Sequence, residues 1–511
     1  MPDDRRSIFC RIAPSAPLWA LTLWFLAWAC CWGSAQLWFD EVISLNNYCG
    51  AFVPAAGLGN VFRNYSLANN HILSNALYWG WLRLVSPQAP ELVLRLPSLL
   101  CGVATVWCAG LGYRRALGRR LALLCAALFA ASPVFLPFAW QIRGYPLSVL
   151  LAALTMLPVW EIIRNGFGRG RCLVLALLLA LQPLIMPSGA VLAAATAVAL
   201  ALARPRQWYL ALFPAIGGAV GLAYYLTVWE QFQAAALDAG SISRDWWTPV
   251  GSFCHVLFAF AVHLAVPLFL VLCRLVRRGG GEGAVSRPHL RGAVSLLAGW
   301  LLAELAMYLA GGAQRVPFPR NSLLFLPMVS FALLLLLRQS GSGQWLKGRG
   351  FAAVLLACPV WGAAAMLLAH RAELRLVHQG DIPQNLLMQQ YRGDISLRDF
   401  VDNLEAAGIG GKCLMVVSDN DGAVAKWYFM RRRYPAAHVF DRTAARAVPG
   451  GVRALNREGL PVFISARLVP EAEQLARLAG YDAIGECIMT TRHRQFYRAV
   501  LRPSSRSSSM P

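Results

Sequence analysis

Charged residues are scarce in this sequence, and acidic residues are scarcer than basic ones. Of 511 residues, 14% are charged and 57% are hydrophobic, with 47 Lys and Arg against 25 Asp and Glu and a mean hydropathy of +0.50. So few charges cannot cover the surface of a water-soluble protein of this length. The composition therefore excludes a single soluble core and predicts a polytopic membrane protein.

The usual signals of several other protein classes are also missing. No small-residue cleavage site follows the first apolar run, so we expect a retained helix there and not a removed signal peptide. The 13 cysteines show neither metal-ligand spacing nor a disulfide framework. A net charge of +22 invites a nucleic-acid partner, but most of the basic residues are explained by membrane topology. We therefore expect contacts with membrane lipids and no nucleic acid.

Apolar runs long enough to cross a bilayer recur up to about residue 370. Arginines cluster in alternate links between these runs, and such links face the cytoplasm. This pattern predicts a bundle of about eleven transmembrane helices, a cytoplasmic N-terminus and an exterior C-terminus. The predicted spans are 17–38, 93–112, 121–138, 146–163, 172–186, 188–203, 208–229, 253–273, 291–311, 320–337 and 351–369.

Two adjacent carboxylates, in Trp38-Phe39-Asp40-Glu41, lie where the first apolar run should leave the bilayer. An acid at this depth costs solvation energy unless it faces water or a polar cavity, which marks it as a functional candidate; a solvated loop start is the alternative. The pair opens a long exterior loop that also contains Asn70 and His71. A Trp-rich stretch in the same loop predicts one or two helices along the membrane surface.

Arginines stand at the outer edges of several later helices. Arg143, Arg244, Arg315 and Arg320 fall in predicted exterior loops, and Arg143 is part of Gln141-Ile142-Arg143-Gly144-Tyr145. One such arginine alone is typical of a snorkelling anchor. Together, on the same side as an acidic pair, they predict a polar cleft that binds an anion.

The pattern changes after residue 370, where amphipathic helices begin to alternate with short apolar strands. The alternation predicts a small exterior α/β domain with a parallel sheet, closed by an antiparallel hairpin at 483–489 and 494–501. The predicted division is a membrane domain at 1–370, a linker at 371–395, the exterior domain at 396–502 and a disordered tail at 503–511.

A carboxylate at a membrane surface can take a proton from an attacking hydroxyl or amine. An arginine can hold a lipid-linked phosphate and stabilise its charge when the bond to a sugar breaks. These residues therefore favour glycosyl transfer from a polyprenyl-phosphate sugar at the outer face of the membrane.

The chain resembles the GT-C class of integral-membrane glycosyltransferases, and most of all the branch of protein O-mannosyltransferases and lipid A aminoarabinose transferases. Four pieces within about 17–340 carry the resemblance: Phe39-Asp40-Glu41, Asn70-His71 with 91–98, the segment 141–145, and Pro319-Arg320-Asn321. The chain departs from the family at Gln141, where an acidic residue is common, and after His71, where Ile72 and Leu73 replace two prolines.

The resemblance implies an inverting hexosyl or pentosyl transfer at the bacterial inner membrane, to a glycan, lipid or protein acceptor. It implies Asp40 as the general base and Glu41 as its catalytic partner. Arg143 and Arg320 would clamp the donor phosphate. It implies no certain cofactor, and it leaves open whether a divalent metal ion is required. The other expected substrate-binding residues are Asn70, His71, Tyr145 and Arg315.

Three other functions remain alternatives. Transporters and lipid flippases usually carry ionisable groups in the middle of spans, whereas here most lie at the outer rim. Polymerases and ligases of lipid-linked glycans generally place their arginines in a large late loop, but the long loop here comes first. A structural scaffold offers no reason for an exterior acidic pair beside arginines.

Overall fold

The computed structural model of this protein describes residues 16–52, 57–65, 70–238, 247–277, 287–311, 319–339, 348–378, 396–466, 469–490 and 495–500. Helices occupy the larger, N-terminal part. They are α1 Ala16–Gly33, α2 Phe39–Ile43, α3 Leu58–Arg63, α4 Ile72–Leu84, α5 Glu91–Leu94, α6 Leu96–Trp107, α7 Arg114–Leu117, α8 Arg119–Ala130, α9 Leu136–Ala139, α10 Tyr145–Asn165, α11 Arg169–Ile185, α12 Gly189–Ala203, α13 Leu212–Ala223, α14 Trp229–Asp238, α15 Trp247–His263, α16 Ala265–Arg277, α17 Arg287–Gly311, α18 Leu326–Gln339 and α19 Gly348–His378.

Several of these helices are extended by tighter or wider turns. The π-helical segments Ser44–Tyr48 and Cys108–Gly112 continue α2 and α6, and 3₁₀ segments occupy Pro205–Ala211, Tyr224–Val228 and Pro319–Phe325. Within the described residues, six continuous helical stretches are long and apolar enough to cross a membrane, or seven if the pair 249–263 and 265–273, bent by 74°, forms one span. The protein is thus a multi-span membrane protein. The predicted count of eleven is not confirmed, because helices at several of the predicted places are shorter.

Small residues allow α11 and α13 to pack closely against each other. A Cβ atom on Gly217 or Gly221 of α13 would press against the carbonyl oxygens of Ala176 and Ala180 on α11. Such glycines, one helical turn apart, let two backbones approach closely. The end of α11 is also tied to α10, because the Gln182 amide donates to the carbonyl of Ser148 at 2.9 Å. These contacts fix the position of Ile185, the last residue of α11.

The C-terminal part folds as one mixed sheet with helices. The helices are α20 Ser396–Ala406, α21 Asp419–Arg431, α22 Arg442–Ala447, α23 Gly451–Leu455 and α24 Val469–Leu478, with a 3₁₀ turn at Ala436–His438. The strands are β1 Leu414–Val417, β2 Val439–Asp441, β3 Val462–Ala466, β4 Ala483–Thr490 and β5 Gln495–Val500, in the order β2-β1-β3-β5-β4.

The sheet has the predicted mixture of parallel and antiparallel strands. Strand β1 pairs in parallel with β2 and β3, and β5 pairs antiparallel with β3 and β4. The predicted parallel core and the closing hairpin are confirmed. Gly450 adopts φ +75° and separates α22 from α23. The tail at 503–511 lies outside the described residues, as does most of the predicted linker, of which α19 includes 371–378.

Candidate active site

The acidic pair lies at the start of a short helix that follows the first apolar helix. Helix α2 begins after Trp38, whose backbone N–H donates to the Glu41 carboxylate at 3.1 Å and closes the first turn. Asp40 and Glu41 are adjacent in sequence but differ in surroundings. The side chain of Glu41 is fully buried, whereas that of Asp40 is 10% exposed.

Glu41 is held by Arg95, which lies between α5 and α6. Arg95 donates from Nε to Oε1 at 2.9 Å and from Nη2 to Oε2 at 2.5 Å, which forms a two-point ion pair between fully buried side chains. The backbone N–H of Ile142 also donates to Glu41, at 2.8 Å. A buried charge needs such compensation on every side. Glu41 therefore joins α2 to the segment that carries Arg143.

Asp40 pairs with Arg143. The Oδ2 atom of Asp40 and the Nη1 atom of Arg143 form an ion pair, and the arginine side chain is only 2% exposed. Burial opposes the charge on Arg143, but Asp40 outweighs it and raises the pKa of the guanidinium above its ordinary value. The family resemblance implied separate roles for them, with Asp40 as the base and Arg143 as a clamp for the donor phosphate. The structure instead brings the two groups into direct contact.

His71 completes the cluster from the other side of Arg143. Its Nδ1 atom lies 3.0 Å from the carbonyl oxygen of Ile185, and its Nε2 atom accepts from Nε of Arg143 at 3.0 Å. A carbonyl only accepts and a guanidinium only donates, so the ring is neutral with its proton on Nδ1. Burial, and next the charge of Arg143, hold the pKa of His71 well below its ordinary value. His71 therefore orients Arg143 as a neutral acceptor.

Aromatic rings enclose the guanidinium of Arg143. Its Cζ atom lies 5.8 Å from the Trp38 ring centre and 5.4 Å from that of Tyr145, both within the range of cation–π attraction. The hydroxyl of Tyr145 also accepts from Nη2 of Arg143 at 3.4 Å. The structure therefore places Tyr145 against the predicted phosphate clamp.

Two features that sequence reasoning did not single out permit this packing. A Cβ atom on Gly144 would lie 2.6 Å from the Ile185 side chain and 2.8 Å from Nδ1 of His71, so the His71 ring needs glycine there. The hydroxyl of Ser74 donates to the Arg143 carbonyl at 3.1 Å. Neither feature could be found from one sequence, because both partners are distant along the chain.

Other predicted site residues have different surroundings. The amide of Asn70 donates to the carbonyls of Val61 and Asn64, at 2.9 and 2.7 Å, and its oxygen accepts from Asn75 at 2.9 Å. Asn70 thus joins the segment that includes α3 to the start of α4.

Arg320 is the second residue of the 3₁₀ segment before α18, and its charge contributes to the lowered pKa of His71. It therefore belongs to the same electrostatic environment. Arg244 and Arg315 lie outside the described residues. In the part of the chain that the structure describes, no three His, Cys, Asp or Glu side chains are grouped as metal ligands.

Comparison with known proteins identifies the architecture. No family model and no curated protein matches the sequence. Among solved structures, ArnT from Cupriavidus metallidurans in the apo state is similar, with a TM-score of 0.56 and 14% identity over 95% of this chain and 98% of that one. ArnT from the same organism bound to undecaprenyl phosphate gives a TM-score of 0.51 and 13% identity over the same shares.

An oligosaccharyltransferase from Archaeoglobus fulgidus in the apo form also matches, with a TM-score of 0.44 and 14% identity over 93% of this chain and 72% of that one. The resemblance inferred from the acidic and arginine motifs is confirmed for the fold: the chain has the GT-C architecture of the lipid A aminoarabinose transferase ArnT.

Proposed function

We propose that this protein is a glycosyltransferase that moves a hexose or pentose from a polyprenyl phosphate to an acceptor at the outer face of the bacterial inner membrane. Two findings support the proposal. The fold is that of ArnT, of which one structure is bound to undecaprenyl phosphate. In addition, a carboxylate with access to solvent lies against a buried arginine in the cluster described above.

Asp40 is the general base in this proposal, and the observation that carries it is the difference within the acidic pair. The carboxylate of Glu41 is fully enclosed by Arg95 and backbone N–H groups, so it has no access to an acceptor. Asp40 keeps 10% of its side chain exposed. A base must come within hydrogen-bond reach of the proton it removes. Glu41 then acts as a partner that fixes the helix on which Asp40 lies.

The arginines supply the leaving-group side of the reaction. An acceptor hydroxyl or amine attacks the anomeric carbon from the face opposite the phosphate, and the bond from that carbon to the phosphate oxygen breaks. The polyprenyl phosphate leaves with the bonding electrons beside Arg143 and Arg320, and the proton of the acceptor goes to Asp40. A guanidinium fork suits the phosphate because its N–H groups match two oxygens at once.

The ion pair between Asp40 and Arg143 makes the basicity of Asp40 depend on whether the donor is bound. A carboxylate paired with a guanidinium is a weaker base than a free one. When the donor phosphate binds, it competes with Asp40 for Arg143. The ion pair weakens, and Asp40 becomes a stronger base. His71 and Tyr145 keep Arg143 in place during this exchange through their contacts with Nε and Nη2. Asn70 and Arg315 remain proposed substrate contacts from the resemblance alone.

The decisive experiment compares Asp40→Asn with Asp482→Asn, an exposed aspartate of the C-terminal domain. Membranes with each variant receive undecaprenyl phosphate loaded with a hexose or a pentose, and mass spectrometry follows free undecaprenyl phosphate. We expect Asp40→Asn to lose roughly 100-fold or more of the rate, as for removal of a general base, and Asp482→Asn to keep it.

Two outcomes would contradict the proposal. Full activity in Asp40→Asn would remove Asp40 as the base. Transport of the loaded lipid across the bilayer without release of undecaprenyl phosphate by the wild type would favour the flippase alternative. Mass spectrometry of envelope glycans and lipids from a deletion strain then identifies the sugar and the acceptor.

A further inference from the structure

The short segment between the first apolar helix and the acidic pair, residues 34–38, is held from two sides. From the membrane side, Arg95 donates to the carbonyls of Gly33, Ala35 and Gln36 at 2.6–3.0 Å. From the other side, the C-terminal domain forms hydrogen bonds with Ser34, Gln36 and Leu37. The backbone therefore cannot shift at this point without breaking contacts with one part or the other.

The contacts from the C-terminal domain are specific. The N–H groups of Leu397 and Arg398 donate to the side-chain oxygen of Gln36, at 3.1 and 3.2 Å. The Arg398 side chain donates to the carbonyl of Ser34 at 2.8 Å. The backbone N–H of Leu37 donates to the hydroxyl of Tyr428 at 2.8 Å.

Glu91 is the centre of this interface. It lies in the first exterior loop, is 5% exposed, and accepts from the hydroxyl of Tyr428 at 3.0 Å and from Arg431 at 2.7 Å. Arg398 approaches its other oxygen at 3.3 Å. Burial opposes the charge on Glu91, but Arg431 and Arg398 outweigh it and keep its pKa below the ordinary value. Tyr428, Arg431 and Arg398 of the C-terminal domain thus all contact the carboxylate of Glu91.

Apolar packing continues across the same boundary. Val42 and Leu45, which follow the acidic pair, share one buried cluster with Trp427 and Phe400 of the C-terminal domain. The ring of Phe52 meets that of Trp427 edge to face, with centres 4.8 Å apart. The helix that carries Asp40 therefore rests on the C-terminal domain as well as on the membrane helices.

We propose that the C-terminal domain is a positioning part of the active site, and that Glu91 and Tyr428 are positioning residues that act on Asp40 through residues 34–38. The proposal rests on the proposed function for its catalytic consequence. Its structural content is that the interface restrains the backbone before and within α2.

The test uses single substitutions in the full-length protein. Tyr428→Phe removes only the hydroxyl shared by Leu37 and Glu91, and Arg431→Gln removes a partner of Glu91. Each has a matched control within the domain. Tyr481→Phe removes a hydroxyl that contacts Asn456, and Arg432→Gln removes an arginine that pairs with Asp402 and Glu405.

The first measurement is hydrogen exchange by mass spectrometry, which needs no activity. We expect amides of 36–45 to exchange roughly tenfold faster in Tyr428→Phe and Arg431→Gln, because a local opening loses stabilising contacts. The controls should leave these amides unchanged. Equal exchange in all four variants would overturn the inference, whatever the reaction proves to be.

The second measurement separates positioning from simple loss of folded protein. With folded protein quantified, we expect kcat to fall on the order of 10- to 100-fold and KM for the lipid-linked donor to change little, because a misplaced base affects the chemical step. A change in KM alone would contradict a role through Asp40. Faster exchange with no glycosyl transfer even by the wild type would instead refute the proposed function and leave the restraint on α2 established.

Discussion

At the scale of single residues, the site depends on the protonation of His71. The neutral ring with its proton on Nδ1 is the one form that can accept from Arg143 and donate to Ile185 at the same time. A protonated ring would place a cation against the guanidinium. The histidine therefore acts as a neutral spacer whose position sets the direction of Arg143.

The lowered pKa of His71 predicts how stability depends on pH. The unfolded chain binds a proton near pH 6.5, but the folded protein does so only at a lower pH. The stabilisation is thus complete above about pH 6.5 and declines as the pH falls, by up to about 1.4 kcal/mol per pH unit. We expect the difference in unfolding free energy between wild type and His71→Asn to shrink from pH 7.5 to 5.5 in denaturant titrations in bicelles. A difference that stays constant over this range would contradict the assignment.

At the scale of elements, hydropathy located most helices but misplaced several ends. The first span was predicted at 17–38, whereas α1 ends at Gly33. The carbonyls of Ala35 and Gln36 accept from Arg95 and do not continue the helix. The third was predicted at 121–138, but α8 ends at Ala130. There the hydroxyl of Ser132 accepts from the N–H groups of Val134 and Phe135 and opens a turn. Both endings depend on side-chain bonds that a hydropathy window does not contain.

The site shows the same division between what the sequence predicts and what it does not. Asp40, His71 and Arg143 were predicted as site residues from their types and exterior placement, and the structure brings all three together. Which carboxylate pairs with which arginine could not be predicted. Arg95 and Glu41 are 54 positions apart and Arg143 and His71 are 72 apart, so only the folded helices decide these pairs.

The pair of Arg95 and Glu41 joins α1, α2 and the start of α6, and a double-mutant cycle measures that connection. Arg95→Met alone leaves a buried carboxylate without its partner and should cost roughly 3–5 kcal/mol of unfolding free energy. The double change Arg95→Met with Glu41→Leu should cost clearly less than the sum of the single changes. Denaturant titration in bicelles measures all four proteins.

The exposed pair of Arg432 and Asp402, with side chains 40% and 39% exposed, supplies the reference cycle. Its coupling should not exceed about 1 kcal/mol, as is usual for ion pairs in contact with solvent. Equal coupling energies in the two cycles would mean that Glu41 does not anchor α2.

At the scale of the whole molecule, the contacts of Glu91 require the C-terminal domain to lie on the same side of the membrane as the segment between α1 and α6, which carries Asp40 and Glu91. Tyr428 and Arg431 could not reach Glu91 from across a bilayer about 30 Å thick. The arrangement of arginines in the links predicts that this side is the exterior. One probe in the C-terminal domain therefore also reports on which side of the membrane the candidate active site lies.

Cys487 is a natural probe for this purpose, because it is exposed on strand β4, whereas Cys413 of the same domain is buried. In intact cells with a permeabilised outer membrane, we expect a membrane-impermeant maleimide to modify Cys487, and Cys487→Ser to abolish labelling of the domain. Cys413 should react only after denaturation, since a buried thiol neither ionises readily nor meets the reagent. Peptide mass spectrometry separates these sites from Cys31 and Cys254, which are exposed on apolar helices.

If Cys487 reacted only after the inner membrane was disrupted, the domain would be cytoplasmic. Asp40 and Arg143 would then lie on that side too, and a donor presented at the outer face could not reach them.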